Sequence, residues 1–388
     1  MRVCKRSVLM AALVGCVILG AAGRGWAVPP DPDNAALLYY QGFLALPDLD
    51  DDARELIGEV ARGNVAPNDE VRDHISKCKG AIEFAEAAAE VPTCHWGFRF
   101  SRGFDALMPQ LSQARFLTFV LMADARIRAA DGDYRGALGR CLMTETFSRH
   151  IGGDTLISYL VSIAVKAMGY RCMDDVVGQA VADAPLLEWL KRELAMGSAY
   201  EVSPLEPLKF EREIGLDTLR MDKLESLVDL LGESDEKKRA EVRARASEEE
   251  LARGRRVYSE RMTSMLDILG ADLPYEEAAP EMERVSDDFD PNAPGEWAAG
   301  ALMPTIGRIY TLKTRSVSDA RAIRIGVEIC LHKAKTGKLP AALPAGSPKD
   351  PFSGEDYVYE RTDCGFVLRC RRKELGTDRL NEYVFSVK

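Results

Sequence analysis

Few residues in the 388-residue chain have the types and spacing that chemistry needs. Cys94-His95-Trp96 sets a thiol beside an imidazole, the parts of a nucleophile with its base or of half a metal site. Adjacent side chains seldom point the same way and no third partner follows, so Trp96 and Phe98 are expected to plug a loop onto neighbouring helices. Glu145, His150 and Asp154 place a second imidazole among carboxylates, which becomes catalytic only inside a pocket. The four histidines, at 74, 95, 150 and 332, form no H-E-x-x-H or other close ligand pair. Asp48, Asp50, Asp51 and Asp52 lack the glycine and terminal glutamate of a calcium loop and suit a helix N-terminus instead. Asp350 and Asp356 are the remaining cation candidates, on a segment where Asp-Pro and Ser-Gly favour a turn. Beyond residue 27 there is no C-x-x-C, G-x-S-x-G, P-loop or G-x-G-x-x-G. No catalytic residue, metal ligand or cofactor is therefore assigned.

The first 27 residues read as an export signal: Arg2, Lys5 and Arg6, then an uncharged apolar run from Ser7 to Gly23, then Gly25-Trp26-Ala27 for cleavage near Ala27. Two alternatives stand beside it. Leu13-Val14-Gly15-Cys16 has the form of a lipoprotein box, which would lipidate Cys16. An uncleaved apolar run would anchor the chain, although its 17 residues are at the short limit for a span. Membrane contact is expected only in these two cases. Cleavage at Ala27 removes four bases and no acid, lowering the net charge from −10 to −14, which disfavours nucleic acid as a partner.

Seven cysteines follow: 78, 94, 141, 172, 330, 364 and 370. An odd number leaves one thiol unpaired even where export permits disulfides. Cys364 and Cys370 sit too far apart on one strand to bond. Cys141 and Cys172 lie 11 and 20 residues from a helical turn near residue 152, so they are not expected to face each other. Buried small hydrophobes are the expectation for the set.

Residues 28–274 read as an α-helical domain of hairpins, solenoid-like. Asp33 or Asn34 caps a helix that Pro47 stops, three acids open the next before Gly63, and Asn68 caps a stripe at Val71, Ile75, Cys78, Ile82, Ala85 and Ala89. Phe116–Ala123 and Leu156–Tyr170 are apolar nearly all round, which predicts core helices; Lys166 inside the second argues against a membrane span. Gly132-Asp133-Tyr134-Arg135-Gly136-Ala137-Leu138 resembles the elbow of a tetratricopeptide repeat, which implies a helix–turn–helix hairpin. Residues 233–256 alternate acids and bases at i, i+4 (Glu233–Lys237, Asp235–Arg239, Glu241–Arg245, Glu249–Arg253) and predict a protruding charged arm. Residues 275–303, acidic and carrying Pro280, Pro291 and Pro294, predict a linker or long loop.

Residues 304–388 read as a small α+β unit. A long helix buries Ile323, Val327, Cys330, Leu331 and Ala334. A three-stranded antiparallel meander follows, with Tyr357 and Tyr359, then Cys364, Phe366, Leu368 and Cys370, then Tyr383, Phe385 and Val387 as inward faces. Gly337-x-x-Pro340 and Lys349-Asp350-Pro351-Phe352-x-Gly354, leading to Tyr357 and Tyr359, make this unit similar to the C-terminal part of the major pseudopilins of type II secretion systems. The resemblance implies a spine helix under a small sheet and a place near secretion machinery. That family's filament-forming start has no counterpart ahead of the unit, and Arg371-Arg372-Lys373-Glu374 stands where its calcium loop falls. The whole chain also resembles uncharacterised exported bacterial proteins with a similar Asn34-to-Tyr40 opening and Asp350-to-Gly354 ending. The expected fold is mainly α with this α+β appendage. The expected role is a non-enzymatic interaction protein of the bacterial envelope with a protein partner; the alternative is a hydrolase with carboxylates on the helical domain.

Overall fold

The computed structural model describes residues 31–387, except 106–107, 198–201, 233–234, 291 and 304–306. The expected signal at 1–27, with Cys16 and Ala27, lies outside the described residues. Helices begin and end where side chains satisfy the free backbone groups. Asn34 caps α1 (Ala35–Leu44), Asp50 caps α2 (Asp51–Arg62) and Asn68 caps α3 (Asp69–Lys77), each accepting from a first-turn N–H. Gly63 ends α2 at φ +80°, a conformation that suits glycine. The stripe from Val71 onward turns a corner at Cys78, so α4 (Lys79–Glu90) is a separate helix.

Next come α5 (Pro109–Ala130), α6 (Tyr134–Gly152) and α7 (Leu156–Gln179), the hairpins at the centre of the molecule. Asp133 caps α6 beside Gly132, as the elbow predicts. Thr155 and Ser158 form a capping box on α7, and the neighbouring Asp154 lies within electrostatic reach of Cys94 and His95. Beside the elbow a partly buried ion cluster joins three helices: Asp124 accepts from Arg128 (2.9 Å) and Arg140 (2.6 Å), and Arg140 also pairs with Glu86.

The chain continues through α8 (Ala184–Gly197), α9 (Leu205–Thr218), α10 (Leu224–Gly232), α11 (Glu236–Arg245), α12 (Glu248–Gly270), α13 (Tyr275–Asp287), α14 (Glu296–Ala301) and α15 (Ile309–Thr336). It closes with β1 (Val358–Thr362), β2 (Gly365–Lys373) and β3 (Leu380–Ser386), an antiparallel meander in sequence order. The mainly helical fold with a small C-terminal sheet is as the sequence predicts.

Helix α7 is the hub. It packs on α6, α5, α2, α9, α15 and β3. Gly169 lies so close to α6 that a Cβ would overlap Thr144, and a Cβ at Gly178 would overlap the carbonyl oxygen of Ser386. On α15, Gly326 makes way for the Phe385 ring, which stacks on Phe366 at 4.6 Å. Ser318 clamps both sides of the meander, with Tyr357 Oη at 2.9 Å and Tyr383 Oη at 2.8 Å.

Five expectations need correction. Residues 275–303 are not a linker: α13 runs through Pro280 because Tyr275, Ala278, Ala279, Met282 and Val285 are buried on one face, and that packing outweighs the lost backbone bond. Residues 34–388 are one unit, with α15 shared between the helical layer and the sheet. The charged arm breaks at Ala246-Ser247, and α11 folds back onto α10. Of its expected pairs only Glu249–Arg253 forms among the described residues; Asp235 caps α11, Arg239 reaches Asp229, and Arg245 stacks on Trp297. Cys364 is exposed, in the turn before β2, while Phe366, Leu368 and Cys370 face inward.

The fifth correction concerns Cys141 and Cys172, whose buried thiols lie near enough to influence each other's ionisation across the α6–α7 hairpin. Helical side chains lean toward their own N-terminus, so in an antiparallel pair these two lean toward each other and close the offset in sequence. Gly169 allows the approach. Both remain free thiols, like the other five.

Two outcomes test this packing. Gly178→Ala overlaps backbone that has little room to retreat, and is expected to lower stability by about 1–3 kcal/mol in urea unfolding. Asp174, on the α7–α15 seam, has a buried oxygen with no hydrogen-bond partner; burial, then Asp175, raises its pKa to about 8. The unfolded chain ionises this carboxyl near pH 4 and the folded chain does not, so its stability contribution falls as pH rises from about 4 to 8. Asp174→Asn is expected to raise the Tm at pH 8 and to leave it nearly unchanged at pH 4.

Candidate functional site

Chemistry-bearing side chains gather at three places: the thiol–imidazole neighbourhood, a polar recess, and an apolar groove. In the first, Asn34 accepts from the His95 backbone N–H (2.8 Å) and donates to its carbonyl (3.0 Å), pinning the loop to the start of α1. Trp96 lies among Tyr39, Tyr40 and Phe43, with centroids 5.4–6.1 Å apart, and its indole N–H donates to the His150 carbonyl at 2.7 Å. His150 Nδ1 shares a 3.0 Å hydrogen bond with Tyr39 Oη. Cys94, Asp154 and His150 thus gather around Tyr39 from distant parts of the sequence. Burial, then Arg149, lowers the His150 pKa to about 4; burial, then Asp154, raises the Cys94 pKa to about 12. At neutral pH the imidazole is uncharged and the thiol protonated, a packed aromatic lock and not an activated nucleophile.

Glu145 does not join His150 and Asp154. It faces a recess of about 150 Å³ where α6, α7 and α15 meet. Helical spacing supplies the lining. Glu145, Ser148 and Arg149 come from α6, Tyr159, Ser162 and Lys166 from α7, and Lys313 and Ser316 from α15, each set three or four residues apart. Gly197 at the end of α8 makes room for the Glu145 carboxylate, which a Cβ there would meet. Ser148 and Ser162 donate to helix carbonyls, at 2.8 and 2.7 Å. The Lys166 ammonium lies 5.6 Å from the Tyr170 ring centre and that of Lys313 5.2 Å from Tyr310. Sequence reasoning missed Arg149 and Lys313 as site residues. Lys166 was the available signal, the one charge inside the apolar run 156–170.

The groove runs along the outer flank of α7. Ile157, Leu160, Val161, Ala164 and Met168 line it with Phe119 of α5, in a volume of about 430 Å³. Arg62 and Arg115 lie 5.1 and 5.7 Å from the Phe119 ring centre, and Arg171 completes a cationic rim. Ile157 is about half exposed.

The cation candidates are otherwise engaged. Asp350 is fully buried, and its carboxylate accepts from Phe352 N–H (2.9 Å), Ser353 Oγ (2.7 Å) and Arg371 N–H (2.8 Å). It staples the Lys349–Gly354 turn to β2. Asp356 pairs with Lys349 at 2.8 Å. The acids at 50–52 serve α2: Asp50 is its cap, and Asp51 and Asp52 sit in its first turn. Among the described residues no three His, Cys, Asp or Glu side chains converge on a point that would hold a metal.

Alkylation distinguishes a lock from a nucleophile. With iodoacetamide at pH 8, native Cys94 is expected to react at least about a hundredfold more slowly than exposed Cys364, and at a similar rate after unfolding in urea. Fast labelling of native Cys94 would contradict the lock. Comparison of the chain with known protein families, with curated proteins and with solved structures found no match.

Proposed function

We propose that the protein is a non-enzymatic interaction protein of the bacterial envelope, exported through residues 1–27. One observation carries the interaction part. Helix α7 is apolar nearly all round over 156–170, yet its flank at Ile157, Leu160, Val161, Ala164 and Met168 is not fully covered and carries a rim of arginines. An apolar strip edged by one sign of charge fits a partner segment that is apolar and flanked by acids. The pseudopilin-like unit at 304–388 supports a partner beside secretion machinery. A carboxylate-based hydrolase would need a second acid near Glu145; the described lining supplies Arg149, Lys166 and Lys313 instead.

A photo-crosslinking residue at Ile157 in the native envelope tests the reading. The expected result is one discrete protein adduct mapping to an acidic, apolar segment, lost in Arg115→Glu/Arg171→Glu with an unchanged Tm. Adducts to lipid alone, or adducts indifferent to the charge reversal, would overturn it. The mass of the mature N-terminus tests export separately: Val28 is expected at the start, and an intact leader on a cytosolic product contradicts the location.

A further inference from the structure

We infer that the groove on α7 takes the turn between α1 and α2 of a second copy of this chain, residues 44–52, with its leucines on the apolar floor and its aspartates against the arginines. The inference rests on the reading of the groove as an interaction site and names its occupant.

The turn carries the complement of the groove. Leu44 is 86% exposed, the most of any large hydrophobic side chain among the described residues. Leu46 and Leu49 follow, each partly exposed, and Asp48, Asp51 and Asp52 are exposed beside them. Asp50 caps α2 and the helix dipole suits Asp51 and Asp52, but neither role accounts for Asp48 or for a leucine in water. Among the described residues, Asp48, Asp51 and Asp52 have no basic side chain within 4.0 Å. Arg54 donates to the Leu49 carbonyl at 3.0 Å, so the turn is held in one shape before it docks.

The groove has the opposite sign. Arg62 pairs with Glu59, but Arg115 and Arg171 are exposed and have no carboxylate within 4.0 Å among the described residues. An apolar segment edged by acids thus meets an apolar strip edged by bases. The two surfaces sit at opposite ends of α2: the turn leads into Asp51, and Arg62 is the last helical residue, about 18 Å along the axis. That rigid helix keeps the turn out of its own chain's groove and presents it to another chain. Reciprocal exchange of turns closes a dimer, and exchange in one direction extends a row.

Sedimentation of the full exported chain over a range of concentrations, with a photo-crosslinking residue at Ile157 of the purified protein, tests the contact. Concentration-dependent association is expected, with an adduct between copies that maps to residues 44–52. Leu44→Ser, Arg115→Glu/Arg171→Glu and Asp48→Lys/Asp51→Lys are each expected to weaken association about tenfold or more. Mixing the two charge-reversed variants is expected to restore it, because each then meets a surface of opposite sign; a variant that had merely misfolded would not be restored. A chain that stays monomeric throughout, an adduct elsewhere in the chain, or no recovery on mixing would overturn the inference. If the purified chain is monomeric while Ile157 captures a different acidic, apolar protein in the native envelope, the second copy is excluded and the reading of the groove stands. Association that survives Arg115→Glu/Arg171→Glu overturns the groove as the contact.

Discussion

Over 156–170 helix α7 holds a single charge and is apolar nearly all round, and a helix of that kind must be covered by other elements on most of its circumference. Most of the architecture follows from that requirement. Helices α2, α5, α6, α9 and α15 and strand β3 all reach it. The cover is close because α7 carries glycines where its neighbours press hardest: Gly169 against Thr144 and Gly178 against the Ser386 backbone. A side chain at either point would push a neighbour away and open the core. The one flank left partly uncovered is the arginine-rimmed groove, so the feature that organises the interior also leaves the main apolar feature of the exterior.

Buried polar groups act as fasteners in this fold. Asp124, Arg140 and Glu86 tie α5 to α6 and α4. Ser318 and Asp319 on α15 hold Tyr357 and Tyr383, fixing both sides of the meander to one helix. Glu374 accepts from Arg315 at 2.7 Å and from Asn381 at 2.9 Å, and Asp350 joins the turn before β1 to β2. Such groups are expensive to bury unless every lone pair and proton finds a partner. Cys94, His150 and Asp350 look chemical in the sequence and are structural in the fold for this reason.

Much of the helical layer was legible from residue types alone. The caps at Asn34, Asp50 and Asn68, the Gly132 elbow, the core runs at 116–123 and 156–170, and the C-terminal helix with its meander all depend on local chemistry and periodicity. Where local rules failed, long-range packing had won. Pro280 sits inside α13 because five buried side chains hold that helix in place. Asp235 gave up its expected pairing with Arg239 to cap a helix whose partner, α10, lies earlier in the chain. Cys141 and Cys172 met because side-chain tilt and a glycine closed a gap that counting residues left open.

The sequence by itself determined which segments are helices, which faces are greasy and where the chain turns, since these follow from backbone geometry and from the pattern of side chains a few residues apart. Only the tertiary structure decided which charges meet. Arg149, Lys166 and Lys313 are unremarkable in their own helices, and Glu145 reads there as a partner for Arg149. Three helices that meet at one point bring them, with Glu145, to the lining of one polar recess. That outcome depends on distances between elements, which no one-dimensional pattern encodes.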